Sequence, residues 1–178
     1  MNFISKKAAI WASAVLLLLL AALIWQQQPQ PTTQHLPALP LWKVADVSQI
    51  NIFNHDKHIL QAYRQGQLWQ NKAAEQTFNQ QSIEQLLTDL QDMQIKRVVS
   101  NTPQYFARFS VSKQDIHVQL LDAQGLDLLH VWVGKASSEL VSTYLRLWEE
   151  NRVMTVDKIL TWQVRRSPES WLENTDEE

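Results

Sequence analysis

Three short stretches of this sequence hold residue types that could do chemistry. His55-Asp56-Lys57-His58 puts two imidazoles and a carboxylate within four positions, donor types that a divalent cation accepts. A structural zinc needs four such ligands and a catalytic zinc three plus water, whereas Lys57 adds a repelling charge and no further ligand is spaced to join them. Asn, His and Asp are ordinary hairpin-turn residues, so the cluster reads as a turn, and no metal or cofactor is expected. His117 and His130 fall in two segments that would pair around Ala123-Gln124, which brings the rings within a few residues of each other across a ladder. No nucleophile or carboxylate accompanies them, so no catalytic residue is assigned. Gly134-Lys135-Ala136-Ser137-Ser138 looks like a fragment of a phosphate loop, but Leu129 stands where the first glycine belongs and serine does not follow the lysine directly. It reads as a turn after a strand. A serine-lysine hydrolase is equally weak there, since no glycine-rich elbow surrounds either serine.

The eight tryptophans raise a different possibility, because an indole face stacks on a sugar ring. Trp11 and Trp25 belong to an apolar N-terminal run, and Trp69, Trp132 and Trp148 fall in strand patterns where core packing is the default. Trp42, Trp162 and Trp171 remain; large aromatics in a domain with a modest core read as structural, with stacking on a ligand or partner by one or two of them as the alternative.

The elements that would position these residues follow from patterning. Ala8 to Trp25 is an uncharged apolar run, just long enough for a helix to cross about 30 Å of hydrocarbon. Lys6 and Lys7 precede it and the next basic residue is Lys43, so the positive-inside bias keeps residues 1–7 in the cytoplasm and sends the rest outside. The run ends in Leu23-Ile24-Trp25-Gln26-Gln27, without the small residues a signal peptidase takes, which favours an uncleaved anchor over residues 8–25. The expected location is the inner (cytoplasmic) membrane, single-pass, with a periplasmic or otherwise extracytoplasmic domain. Within the span Ala8, Ala9, Ala12 and Ser13 are small residues at a spacing of four, a face on which another transmembrane helix could pack closely.

Residues 26–40 are rich in Gln and Pro and read as an extended spacer. From residue 41 to 174 the pattern is that of one folded domain, followed by an acidic tail over 175–178. All 18 acidic residues lie after the span against 14 of the 16 basic ones, so the outer part is near −4 and lacks the basic stripe that nucleic acid requires. The chain has no cysteine, which removes disulfides and thiolate metal sites.

Inside the domain, Val47 to Phe53 and His58 to Arg64 alternate around a turn, and Gln67 to Gln70 adds a short third strand. Ile83, Leu86, Leu87, Leu90 and Met93 then recur at helical spacing. Asn79 is the chosen N-cap, with Ser82 and Gln85 as a competing capping box. Ile95 to Val99 is a strand, and Thr102-Pro103 opens a short helical turn. Asp115 to Leu121 and Leu126 to Val133 form a second hairpin, closed by Gly134. Val141 to Trp148 and Arg152 to Val156 are further strands, and a second helix begins at Asp157 with Ile159, Leu160, Trp162 and Val164. The expected fold is therefore α+β: a mainly antiparallel sheet with two packed helices, preceded by the transmembrane helix.

Asp46-Val47 with Ile50 and Ile52, Leu68-Trp69, Asn79 with Ile83-x-x-Leu86-Leu87, Val133-Gly134-Lys135, Thr143-Tyr144-Leu145-Arg146 and Val153 together resemble the domain-of-unknown-function family 4340, over about Trp42 to Trp171. The resemblance implies a single-pass envelope protein, often encoded beside transporters of the gliding-motility ABC type, and it carries no catalytic residues. The expected function is a membrane-anchored binding or assembly module, an accessory of an envelope or transporter complex. An envelope hydrolase or glycan-binding protein is the alternative. The topology is open to test: a reporter active only outside the cytoplasm works when fused after Glu178, and the mature chain keeps its full mass. Cytoplasmic reporter activity, or a shorter membrane-free form, overturns it.

Overall fold

The computed structural model describes residues 36–73 and 75–173. The span over 8–25 with its Ala8, Ala9, Ala12 and Ser13, the first part of the spacer, and the acidic tail lie outside the described residues. Among the described residues no helix is long and apolar enough to cross a membrane.

The fold is α+β. The strands are β1 (Gln49–Asn54), β2 (Lys57–Gln65), β3 (Leu68–Gln70), β4 (Ile95–Ser100), β5 (Ile116–Leu121), β6 (Asp127–Ala136), β7 (Thr143–Leu147) and β8 (Val153–Val156). They form one sheet in the order β3-β2-β1-β5-β6-β7-β8-β4, antiparallel at each junction. Because side chains alternate across a strand, the apolar positions of the alternating segments come out on one face. Ile50, Ile52, Leu60, Ala62, Val118, Leu120, Leu129, Val131, Val133, Leu145, Met154 and Val156 make that inner face, all of them buried.

Helix α1 (Gln80–Asp92) covers the inner face with Ile83, Leu86, Leu87 and Leu90, whose spacings of three and one set a single apolar stripe. Each such side chain contributes about 1.5–3 kcal/mol by leaving water. Asn79 is the N-cap: its side chain accepts from Ser82 N at 2.8 Å, and its own backbone N–H donates to Trp171 O at 2.7 Å. The helix start is thereby tied to the C-terminal segment, which crosses the same face with Trp171 fully buried.

Two expectations need correction. The second helix is a single turn, α3 (Thr161–Val164), within a mostly irregular segment. Thr143 Oγ1 donates to Lys158 O at 2.7 Å and accepts from Leu160 N at 2.9 Å, which holds the chain in a non-helical path up to residue 160. Pro168 forces Ser167 into an extended conformation, with ψ 154°, so the helix cannot continue on the far side. Pro168–Trp171 is a 3-10 turn, and Ser167 makes no side-chain cap to it. Gly134, for its part, does not end β6. The strand runs through it to Ala136, and the residue is glycine because the backbone of another segment presses on it. A Cβ at 134 would overlap Phe109 O and stand 2.9 Å from Val111 Cγ1 and 3.0 Å from Tyr144 O.

The segment pressing on Gly134 belongs to the outer face. Helical turns over Pro103–Tyr105 and α2 (Phe106–Phe109) lead into Val111, which packs with Trp132 and Val153 in a second apolar cluster joined by Val99, Phe106, Phe109 and Tyr144. This cluster covers the outer face only over β6, β7, β8 and β4. On β1, β2 and β5 exposure returns, with His58 and Gln61 exposed and Phe53, His117 and Gln119 half-buried. Gly134→Ala should destabilise the domain by about 3 kcal/mol through overpacking, where a surface Gly→Ala change costs little. Chemical denaturation measures this, and a loss under about 0.5 kcal/mol would contradict the close approach.

Candidate functional site

The partly open outer face carries two adjacent rows of side chains in cross-strand register. The first runs His58 on β2, Phe53 on β1, His117 on β5, Trp132 on β6 and Arg146 on β7. The second runs Gln61, Asn51, Gln119 and His130 across β2, β1, β5 and β6, and ends at Trp148, whose backbone N–H donates to His130 O at 2.9 Å. Directly opposed side chains on one face lie within contact range, so each row is continuous.

The first row is aromatic. Phe53 stacks on His117, with centroids 4.5 Å apart and planes at 16°, and His117 meets Trp132 at 4.6 Å. At its end the Arg146 guanidinium lies 4.3 Å from the Phe106 ring centroid and 5.1 Å from that of Trp132, while Nε donates to Val111 O at 2.9 Å and Nη1 to Glu150 O at 3.1 Å. Burial lowers its pKa to about 10, which leaves it a cation at neutral pH. Arg146 thus fastens the α2 segment and the turn after β7 to the sheet.

The second row is made of amides. Asn51 is buried, accepts at Oδ1 from Gln49 Nε2 at 2.9 Å and donates through Nδ2 to Gln119 Oε1 at 3.2 Å. Gln119 Nε2 passes the chain on to Asp127 Oδ1 at 2.8 Å. At the other end the Trp148 indole lies parallel to both His130 (3.8 Å, 10°) and Trp132 (5.1 Å, 15°). His130 and Trp132 stand side by side on the outer face of β6, so an indole parallel to both lies flat across them. The residue as a whole is 41% exposed.

Trp148 is presented by a stiff turn. Glu149 sits at φ 64°, in the left-handed region that costs a non-glycine residue about 1–2 kcal/mol. Glu150 accepts from Arg152 at 2.6 and 3.0 Å, which holds the Glu150 carboxyl below its usual range. A cleft opens on either side of the indole. One, of about 290 Å³, is lined by Asp127, His130, Trp148 and Glu150 among others; the second, of about 270 Å³, by Lys113, Trp132, Arg146, Trp148 and Glu149.

The histidines of the sheet are brought together as the hairpin reading expected, with ring centroids 5.4 Å apart. A register shift near Leu121 pairs His117 with Trp132 and His130 with Gln119, so the two imidazoles meet diagonally. Burial, then the neighbouring His117, lowers the His130 pKa to about 4, with Asp127 opposing; burial also lowers that of His117. His117 Nδ1 and His130 Nε2 are buried without a hydrogen-bond partner among the described residues, so a second N–H on either ring would lack an acceptor.

The remaining sequence candidates are scattered. His55 sits in the turn between β1 and β2 at φ 56°, its Nδ1 3.0 Å from Asp56 Oδ2 with both side chains largely exposed, while His58 turns onto Phe53. Among the described residues no group of three or more metal-ligating side chains assembles. Lys135 and Ala136 lie in β6, and the turn after it closes through Ser142 Oγ donating to Ser137 Oγ at 2.7 Å. Of the tryptophans, Trp171 is core and Trp162 is 75% exposed on α3. Trp148, expected to pack inside a strand, lies beyond the end of β7 and open on one side. The signal was Glu149-Glu150-Asn151, turn residues that put Trp148 at a hairpin shoulder.

The molecule is thus an α+β domain that covers one face of an antiparallel sheet and leaves a structured aromatic and amide surface on the other. Residues 69–175 match the family model described as "Domain of unknown function (DUF4340)", and the chain belongs to that family. The match begins at Trp69, so β1 and β2, which supply two of the five members of each row, precede it. No curated protein and no solved structure matches the chain.

The buried imidazoles give the domain a defined pH response. Their folded pKa values lie below the unfolded value near 6.5, so the unfolded chain binds more protons between those limits and stability falls as pH drops through that window. For His130 the loss runs from about pH 6.5 down to about 4, below which both states are protonated. Denaturation midpoints from pH 7.5 to 4.5 should therefore decline, and His130→Gln should flatten the decline. A His130 imidazole titrating near 6.5 by NMR would refute the assignment.

Proposed function

We propose that the chain is a single-pass, membrane-anchored extracytoplasmic binding module, an accessory component of an envelope or transporter complex, whose recognition surface is the outer face around Trp148. The observation that carries this reading is the Trp148 indole, backed by His130 and Trp132 and open between two clefts. Large rings held rigid at a surface are what binding sites use, since little side-chain entropy is lost on contact. The sheet edges support a face over an edge as the contact. β3 has three residues, and β4 carries exposed Lys96 and Arg97 with two register shifts, devices that discourage strand addition.

The span supplies the second contact. Ala8, Ala9, Ala12 and Ser13 form its small-residue face toward a partner helix, and two tethered contacts raise avidity without either being strong. A photo-activatable side chain in place of Trp148 should give adducts with an envelope component in intact cells, while one in place of Gln124, on the exposed β5–β6 turn, should not. Leucine at Ala8, Ala9, Ala12 and Ser13 should lower partner recovery from solubilised membranes at constant protein level. Adducts from position 124 alone, with recovery unchanged, would overturn the reading.

A further inference from the structure

We infer that the outer face centred on Trp148 binds a glycan chain of low net charge; this names the ligand class of the surface proposed above and rests on that proposal. A pyranose offers a flat patch of C–H bonds ringed by hydroxyls. Its complement is a fixed aromatic plate with neutral donors and acceptors around it. Trp148 is such a plate: its inner face is stacked at 3.8 Å on His130, so the outer face cannot fold back onto the sheet. The clefts on its two sides share the indole as a wall, which suits a ligand extending past one ring in both directions.

The second row supplies the neutral partners. From His130 the track continues over Gln119, Asn51 and Gln61, three strand spacings or ~14 Å. Gln61 is exposed and carries both donor and acceptor groups, so it can pair with hydroxyl or acetamido groups in either sense, and the half-buried Gln119 keeps a second amide hydrogen beside the one given to Asp127. Asn51 is buried and bonded to Gln49 and Gln119, which fixes the half-buried Gln119 amide next to the exposed Gln61.

Other occupants fit less well. Nucleic acid requires several free cations along its path, whereas the clefts set Asp127, Glu149 and Glu150 against Lys113, and Arg146 is committed to carbonyls. Those carboxylates also disfavour an anionic lipid surface. A stable protein interface centres on a dry apolar patch in about 800 Å² per partner, and here the apolar lining of Pro40, Leu128 and Leu147 is interrupted by the His130 imidazole and by carboxylates beside the indole.

The test titrates the full chain in nanodiscs with soluble hexasaccharides of β-1,4-linked glucose, β-1,4-linked N-acetylglucosamine and α-1,4-linked glucose, followed calorimetrically. At least one should bind with a micromolar to millimolar Kd. Trp148→Ala should weaken that binding at least tenfold, Trp148→Phe should recover part of it, and Gln119→Ala should weaken it severalfold. Trp162→Ala should leave it unchanged. The Phe variant and an unchanged Tm separate loss of the plate from loss of the fold. Absence of binding by all three hexasaccharides at millimolar concentration, or equal binding by the Trp148→Ala chain, overturns the inference. Adducts from position 148 in cells alongside no saccharide binding would leave the module reading standing and remove only the glycan.

Discussion

A sheet of eight antiparallel strands has two faces to shield, and this chain has too little helix to shield them. At ~4.8 Å per strand the sheet is ~34 Å wide, whereas α1 with its 13 residues is ~20 Å long and roughly 10 Å across. The rest of the inner face is closed by irregular chain that must carry large apolar side chains to do so. Leu160 and Trp171 do this, with Val164 of the one-turn α3 and Trp69 of the short β3 beside them, and all four are fully buried. Irregular chain at a core has backbone groups to satisfy. Thr143 and Gln80 serve as local splints, the latter accepting from Trp69 N at 2.8 Å and donating to Phe78 O at 2.6 Å. The tie between Asn79 and Trp171 then makes the helix start and the C-terminal cover one unit.

The same shortage shapes the outer face. Only α2 and its approach are available there, and they close on the sheet at Gly134, where the lack of a side chain lets the Phe109 carbonyl come down. Arg146 locks that cover by bonding to Val111 O and placing its cation between Phe106 and Trp132. Beyond this patch the strands have polar or amphipathic residues at the outward positions. Burial of Asn51 is tolerable because amides on either side satisfy it, so the face is structured without being apolar.

Much of this was legible in the residues, and the failures have physical causes. Period-two alternation located the eight strands, because one buried face leaves an unambiguous trace, and Ile83, Leu86, Leu87 and Leu90 with Asn79 located the helix and its cap. Ile159, Leu160, Trp162 and Val164 misled because an apolar tetrad looks helical whether or not the backbone is free to coil, and Thr143, bonded across 15 and 17 residues, decides that it is not. Gly134 misled for a similar reason: glycine signals a turn locally and a close approach only through tertiary context. The site was half visible. The His117 and His130 pairing followed from hairpin symmetry, but the amide row and the exposure of Trp148 depend on which face is covered, and no local pattern records that.

What the surface gains from this construction is rigidity. A half-exposed indole on an ordinary loop would trade its order for contact with a ligand and lose part of the binding free energy in doing so. Trp148 has already met that cost during folding. It stacks on rings that are themselves fixed by register, and the turn behind it is pinned at Glu150 by both Arg146 and Arg152. The left-handed Glu149 is the strained member of that arrangement, a local penalty sustained by the contacts on either side. The low pKa values of His117 and His130 belong to the same logic. A charged imidazole under the indole would draw water and a counter-charge into the stack, whereas neutral rings keep it dry, so the conditions that hold the fold together are also those that keep the plate flat and open.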